Sequence, residues 1–218
     1  MTSDAIADMS QVRIAYRLVV AYQRRLLDLF RFVQIGVRDR YPTIRFHGWS
    51  PSKWGRPGTT DPTQKWAWDF VPLHHSEIGW VSSDSAAPGS FWFWLSHEAD
   101  VGWTHDGRGE PDPLAFEPAE TCRTVLSASV LACPRGSSPD GTGMDWQKLY
   151  TSADPSLTLA EWTDGAPHER EIASGVVRAG GFVVDIETLT SRALIAERMT
   201  GRLLKLISEA VQSEFTEK

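Results

Sequence analysis

Apolar side chains recur every three or four residues between positions 10 and 39, which is the period of one face of an α-helix. These positions are Val12, Ala15, Tyr16, Val19, Tyr22, Leu26, Phe30, Val33 and Val37. Ser10 is the predicted N-cap. Gly36 and the pair Tyr41-Pro42 predict the end of the helix, because a residue before proline is pushed out of helical geometry. At 1.5 Å per residue the helix would span roughly 45 Å, so we expect one end to project or to meet a partner.

The middle of the chain predicts a long loop followed by strands. Residues 42–65 are rich in Pro, Gly, Ser and Thr, and a loop of this length is usually functional or mobile. Alternating patterns predict strands at 66–70 and 78–81. Residues 91–95 are apolar on both faces, which is typical of a central strand covered on both sides. Residues 120–133 fit both helical and strand spacing, and their Ser, Thr and Val content favours a strand.

The last part of the chain predicts a hairpin and a second helix. Ala179-Gly180-Gly181 lies between two apolar runs and predicts a tight turn joining two strands. Residues 189–214 carry a helical apolar stripe, with Thr188 or Thr190 as the expected N-cap. Gly201 lies inside this stripe, where glycine weakens a helix by about 1 kcal/mol relative to alanine. We therefore expect close packing against a neighbour at Gly201.

Strands grouped between two helices predict the α+β class with a mostly antiparallel, tryptophan-rich sheet. The C-terminal helix is expected to pack on the sheet or on the first helix. Residues 1–218 are predicted to form a single domain, which a chain of 218 residues can build without a disulfide or a metal. The predicted divisions are a long helix at 10–39, a loop at 42–65, a β-rich region at 66–186 and a helix at 189–214.

Composition opposes several classes of protein, including disordered, membrane-spanning and disulfide-rich secreted proteins. Hydrophobic residues make up 41% and charged residues 23% of the chain, which opposes global disorder. No run of about 18 apolar residues occurs, so we expect no membrane span. No basic region precedes an apolar block at the start, and two cysteines, Cys122 and Cys133, do not make a disulfide framework. These features favour a reduced, cytoplasmic protein.

Positive charge is concentrated in the N-terminal part of the chain. The formal net charge is −6, yet residues 1–45 hold eight arginines and four acids and so carry +4. At 100° per residue, five of these arginines fall within about 60° of one another, roughly opposite the apolar stripe. They are Arg13, Arg17, Arg24, Arg31 and Arg38. Such a row could bind phosphates or an acidic partner surface, or it could be an ordinary solvated helix face.

Eight of the ten tryptophans lie between Trp49 and Trp103. Those in predicted strands are expected in the core: Trp66, Trp68, Trp92 and Trp94. Trp49 and Trp54 lie in the predicted loop and are the pair most expected to be exposed. Exposed tryptophans serve as interface anchors, in which this residue type is enriched.

A polar cluster follows the apolar strand and offers an alternative, catalytic interpretation. Its members are His97, Glu98, Asp100, His105 and Asp106, and His74, His75 and Glu77 could lie on an adjacent strand. Histidine and carboxylate groups together can bind a divalent ion or act as an acid–base pair. The spacing matches no zinc motif, and strand ends are commonly polar. We therefore predict no metal and no cofactor.

These patterns favour a non-enzymatic protein-binding protein, such as a bacterial or phage-encoded inhibitor, immunity or accessory factor. Its expected contact residues are Arg17, Arg24, Arg31, Trp49 and Trp54. The alternative is a metal-dependent hydrolase or nuclease that uses the polar cluster. A third interpretation is a nucleic-acid-binding module, which the net charge of −6 opposes although a local basic row can override net charge.

Overall fold

Two helices pack on one face of a six-stranded antiparallel sheet in the computed structural model. The structure describes residues 3–50, 75–102, 117–135, 145–146, 165–166, 168–172 and 175–212. The predicted α+β class is confirmed. Trp49, Trp80, Trp92 and Trp94 lie in described strands, whereas Trp66 and Trp68 fall outside the described residues.

The elements follow one another in a simple order along the chain. A long helix comes first, α1 (Ser3–Arg40), followed by β1 (Arg45–Ser50), β2 (His75–Val81), β3 (Phe91–Glu98), β4 (Val125–Ala132), β5 (His168–Ile172) and β6 (Gly175–Asp185). The last helix, α2, covers residues 192–211 as Arg192–Ile195, a π-helical turn Ala196–Gly201 and Arg202–Val211. The strand order is β1-β2-β3-β4-β6-β5, and each neighbouring pair is antiparallel.

The central strands β3 and β4 are buried on both faces, as their apolar content predicts. Successive side chains of a strand point to opposite faces. Phe91, Phe93 and Leu95 therefore join the core under the helices, and Trp92 and Trp94 join a second cluster on the other face. The strand predictions at 78–81, at 91–95 and within 120–133 are confirmed.

The core under the helices is built from large, fully buried side chains. Trp80 stacks on Phe93, with ring centroids 5.2 Å apart. α1 supplies Leu26 and Phe30 to this core, and α2 supplies Leu206. On the other face, Gly79 makes room for an indole, because a Cβ at this position would lie 2.6 Å from Trp92 Nε1.

Helix α1 begins earlier than predicted and ends at Arg40, directly before the predicted end at Tyr41-Pro42. It begins before Ser10, which lies inside the helix, so the predicted N-cap is wrong. Gly36 does not end it either, since the helix continues to Arg40. A Cβ on Gly36 would lie 2.5 Å from Thr200 Cγ2 in α2. This glycine therefore permits the close approach of two helices.

The predicted hairpin at Ala179-Gly180-Gly181 is wrong, because β6 runs without a break from Gly175 to Asp185. Gly180 is required for a different reason. A Cβ there would lie 2.5 Å from the carbonyl oxygen of Ala166 and 2.9 Å from Leu206 Cδ1. Here, too, glycine reflects a close approach of neighbouring elements instead of a turn.

The details of α2 differ from the predicted helix. Ser191 is its N-cap, since the Ser191 hydroxyl accepts a hydrogen bond of 3.2 Å from the backbone N–H of Leu194. Neither Thr188 nor Thr190 has this role. Gly201 is exposed, and a Cβ there would approach only the carbonyl oxygen of Ala196, at 3.3 Å, so the predicted close packing is also wrong. The helix ends at Val211 instead of residue 214.

The predicted loop at 42–65 is wrong in its first part. Residues 45–50 form β1, an edge strand that pairs with β2 around a bulge between Phe46 and Gly48. Residues 51–65 and the predicted strand at 66–70 lie outside the described residues.

The contact between Gly36 and Thr200 can be tested directly. Gly36→Ala is expected to lower the free energy of unfolding by about 1–2 kcal/mol, because overpacking outweighs the helix propensity of alanine. Thr200→Ser removes Cγ2 and keeps the hydroxyl. In that background the same Gly36→Ala change should be neutral or stabilising, as measured by urea unfolding. An equal cost in both backgrounds would contradict the proposed contact.

Candidate functional site

Exposure divides α1 into two halves. From Val20 to Val37 one side of the helix is buried against the sheet and α2. Every residue from 9 to 19 is exposed. These residues span roughly 16 Å at 1.5 Å each. The N-terminal half of α1 therefore extends past the core that covers the rest of the helix.

The exposed half of α1 is rich in large apolar side chains. The exposed fractions are Met9 47%, Val12 44%, Ile14 47%, Tyr16 62%, Leu18 66% and Val19 39%. At 100° per residue, four of them fall within about 80° of one another. These four, Met9, Val12, Tyr16 and Val19, are called the bare stripe below. Contiguous exposed apolar surface rimmed by polar residues marks interaction sites.

The bare stripe continues the face that α1 buries against its own sheet. Alternating steps of three and four residues lead from Met9 through Val19 to Gln23, Leu26, Phe30, Val33 and Val37. All of the positions from Gln23 onward are buried. This spacing is typical of a helix packed along its length. One continuous face is thus covered in its second half and bare in its first.

A buried hydrogen bond lies where α1 leaves the sheet. The hydroxyl of Tyr22 is 2.5 Å from Nε2 of His97, which is 1% exposed near the end of β3. Burial raises the pKa of Tyr22 to about 12, so its hydroxyl stays protonated at neutral pH. This bond anchors the helix at the boundary between its covered and bare halves.

The five predicted arginines are all exposed on one side of α1. They lie about 100° around the helix from the bare stripe. None of the five forms a salt bridge with another described residue. Of the predicted contact residues, Arg17, Arg24 and Arg31 therefore stand on the same helix as the bare stripe and are available to a partner.

The predicted exposure of Trp49 is wrong, and Trp54 lies outside the described residues. Trp49 belongs to β1, where it is half-buried and packs against the core under the helices. The loop prediction failed because a proline- and glycine-rich composition hid a short edge strand. Exposed apolar residues on α1, such as Met9 and Leu18, were missed. The length of the helix predicts that one end projects, but it does not identify which apolar residues are then exposed.

The alternative catalytic residues do not converge among the described residues. His97 and Glu98 are neighbours in β3, so their side chains leave opposite faces of the sheet. His97 points towards α1 and contacts Tyr22. Asp100 accepts a hydrogen bond of 2.8 Å from the backbone N–H of Gly102. His105, like His74, lies outside the described residues.

The described residues contain neither a candidate metal site nor a cysteine whose pKa is lowered. No three His, Cys, Asp or Glu side chains there come close enough to hold a metal ion. Cys122 and Cys133 are free thiols. Burial raises the pKa of both, to about 11 for Cys133, which disfavours the reactive thiolate.

A cavity of about 390 Å³ lies where α1 and α2 end. Its lining includes Arg40 and Arg135. The carboxyl end of a helix is the negative end of its dipole and attracts cations. Arg178 Nη1 donates a hydrogen bond of 2.6 Å to the carbonyl oxygen of Gln212, and Arg135 donates its backbone N–H to that of Val211. The end of α2 beside this cavity is therefore capped by the side chain of Arg178 and by the backbone of Arg135.

A family model described as PM0109 matches residues 2–209. The chain belongs to the PM0109 family. The match includes the bare stripe and α2 together with the sheet. Searches of curated proteins and of solved structures found no match. Among the helices of the described residues, none combines the length and apolarity needed to cross a membrane.

Removal of the Tyr22 hydroxyl tests the anchor of α1. Tyr22→Phe is expected to lower the free energy of unfolding by about 1–3 kcal/mol, because buried His97 loses a hydrogen-bond partner. Tyr16→Phe is the matched control, since Tyr16 is 62% exposed. This substitution should change the free energy of unfolding by no more than about 0.5 kcal/mol. Urea unfolding of both variants measures the difference, and equal stabilities would show that the bond anchors nothing.

Proposed function

We propose that this protein is a non-enzymatic binding protein that contacts another protein through the exposed half of α1. The observation that carries the proposal is the bare stripe: four large apolar side chains in one line, between 39% and 62% exposed. Exposed apolar surface of this kind is the common mark of a binding site.

Burial of the bare stripe would offset part of the free-energy cost of association. Full burial of one such side chain contributes about 1.5–3 kcal/mol. Loss of translational and rotational freedom costs about 4–15 kcal/mol. Because the four stripe residues are between 39% and 62% exposed, only about half of that energy is available, so they offset part of this cost and the partner's own apolar surface and polar contacts must supply the remainder. A folded helix also loses little conformational freedom when it binds.

The helical spacing favours a partner that receives a helix. Met9, Val12, Tyr16 and Val19 occupy positions i, i+3, i+7 and i+10 of one face. Helix-in-groove recognition uses anchors at this spacing. A hydrophobic groove or another amphipathic helix would match the stripe, whereas a nucleic-acid backbone offers no comparable apolar surface.

The arginine row would attract an acidic partner to α1. Guanidinium groups pair with carboxylates through two hydrogen bonds at once. With −6 overall and +4 in residues 1–45, the other residues carry −10. An acidic partner is therefore attracted to α1 and repelled elsewhere, which guides encounter more than it adds affinity. An inhibitor, immunity or accessory factor would act through such contact.

Affinity capture with matched variants tests the proposal. The tagged chain is used in a lysate of the organism that encodes it, with an untagged copy also present. Val12→Ser with Tyr16→Ser should reduce recovery of the specific partner at least about tenfold, which corresponds to about 1.4 kcal/mol. Arg17→Glu, Arg24→Glu and Arg31→Glu together should reduce it further at low salt. Quantitative mass spectrometry measures recovery.

The control variant is Ile14→Ser with Leu18→Ser. Both residues are exposed, at 47% and 66%, and lie on the side of α1 away from the bare stripe. This variant should recover the partner as the unchanged chain does. The proposed function would be contradicted if the Val12→Ser, Tyr16→Ser variant recovered the same proteins, in the same amounts, as the unchanged chain.

A further inference from the structure

The cavity at the carboxyl ends of α1 and α2 is lined by two positively charged side chains. These are Arg40 and Arg135, and none of the other described residues that line the cavity is acidic. The volume of about 390 Å³ falls within the range of small-molecule pockets, about 300–1,000 Å³. The cavity is therefore large enough for a small anion or for a larger molecule that carries one.

Capping of the helix ends does not use these two guanidinium groups. The carbonyl oxygen of Gln212 accepts a hydrogen bond from Arg178, and that of Val211 accepts one from the backbone N–H of Arg135. Neither the Arg40 nor the Arg135 guanidinium forms a hydrogen bond or an ion pair with any described residue. Each helix end carries about half an elementary negative charge, so two such ends do not cancel two full positive charges.

Specific contacts position both arginine side chains. The guanidinium carbon of Arg40 lies 5.7 Å from the centroid of the Tyr41 ring, which packs edge-on against Phe91 with centroids 5.0 Å apart. Gly89, whose φ is 79°, makes room for the stem of Arg135, because a Cβ there would lie 3.2 Å from Arg135 Cγ. Side chains that are already positioned lose less conformational freedom when a ligand binds.

We infer that this cavity binds a phosphate group, either as free phosphate or on a small molecule. Guanidinium groups pair with phosphate oxygens through two hydrogen bonds at once. A phosphate monoester carries a charge of about −1.5 to −2 at neutral pH, which matches two arginines, whereas a carboxylate carries a single charge. The hydroxyl-bearing residues Tyr41 and Ser208 also line the cavity and offer donors for the remaining oxygens.

This site is separate from the bare stripe. Arg40 lies roughly 30 Å along α1 from Val19, the last residue of the stripe. A phosphate bound in the cavity would leave the stripe open to a protein partner. The inference therefore goes beyond the proposed function, and either one can fail without the other.

Isothermal titration calorimetry at constant ionic strength tests the ligand class. Inorganic phosphate and glycerol 3-phosphate are the two probes, and acetate should bind at least about tenfold more weakly than the better probe, or about 1.4 kcal/mol. Tighter binding of glycerol 3-phosphate would assign the site to phosphate esters, and tighter binding of inorganic phosphate would assign it to the free ion. No saturable binding of either probe, or acetate binding of equal strength, overturns the inference.

Arginine variants test the location of the site. Arg40→Gln and Arg135→Gln should each raise the dissociation constant of the better probe at least about tenfold. Arg135→Lys keeps the charge and should raise it less. Arg25→Gln is the matched control, since Arg25 is exposed on α1 and does not line the cavity. Equal affinity of the Arg40→Gln, Arg135→Gln and Arg25→Gln variants, each verified as folded by circular dichroism, would overturn the inference.

Discussion

The apolar face of α1 extends beyond the part that the described sheet covers. The packing of the core and the proposed binding site both depend on this difference in length. The helix spans Ser3–Arg40, and its residues 9–19 are all exposed, with the first buried position after them at Val20. Within the covered half, Leu26, Phe30 and Val33 fill the core under the helices. The same three- and four-residue spacing continues into solvent. A helix in water gains most of its stability from packing of its apolar face, and the proposed partner would supply this packing for the bare stripe.

Glycines set how closely the covered half can be packed. Gly36 lies against Thr200, and Gly180 lies against the carbonyl oxygen of Ala166 and against Leu206. In each case a Cβ would enter space that another element already fills. The sheet, α1 and α2 thus share one tightly packed core. A partner of the bare stripe would meet a helix that is already formed, which lowers the conformational entropy that binding must remove.

The spacing of apolar residues along the sequence predicted most of the fold. It identified both helices, the buried strand β3 and the α+β class, because burial leaves a direct imprint on which positions are apolar. It could not distinguish a glycine that ends or turns an element from one that permits contact. Gly36 and Gly180 were misread for this reason, since the contacting residues Thr200 and Ala166 are distant in sequence. Composition likewise hid β1 and misplaced Trp49.

The site was predicted only in part, because exposure is a property of the whole fold. Val12, Tyr16 and Val19 have the same apolar character as Leu26 and Phe30, and only the extent of the sheet separates bare positions from buried ones. The arginine row was visible in the sequence because angular position on a helix follows from residue number alone.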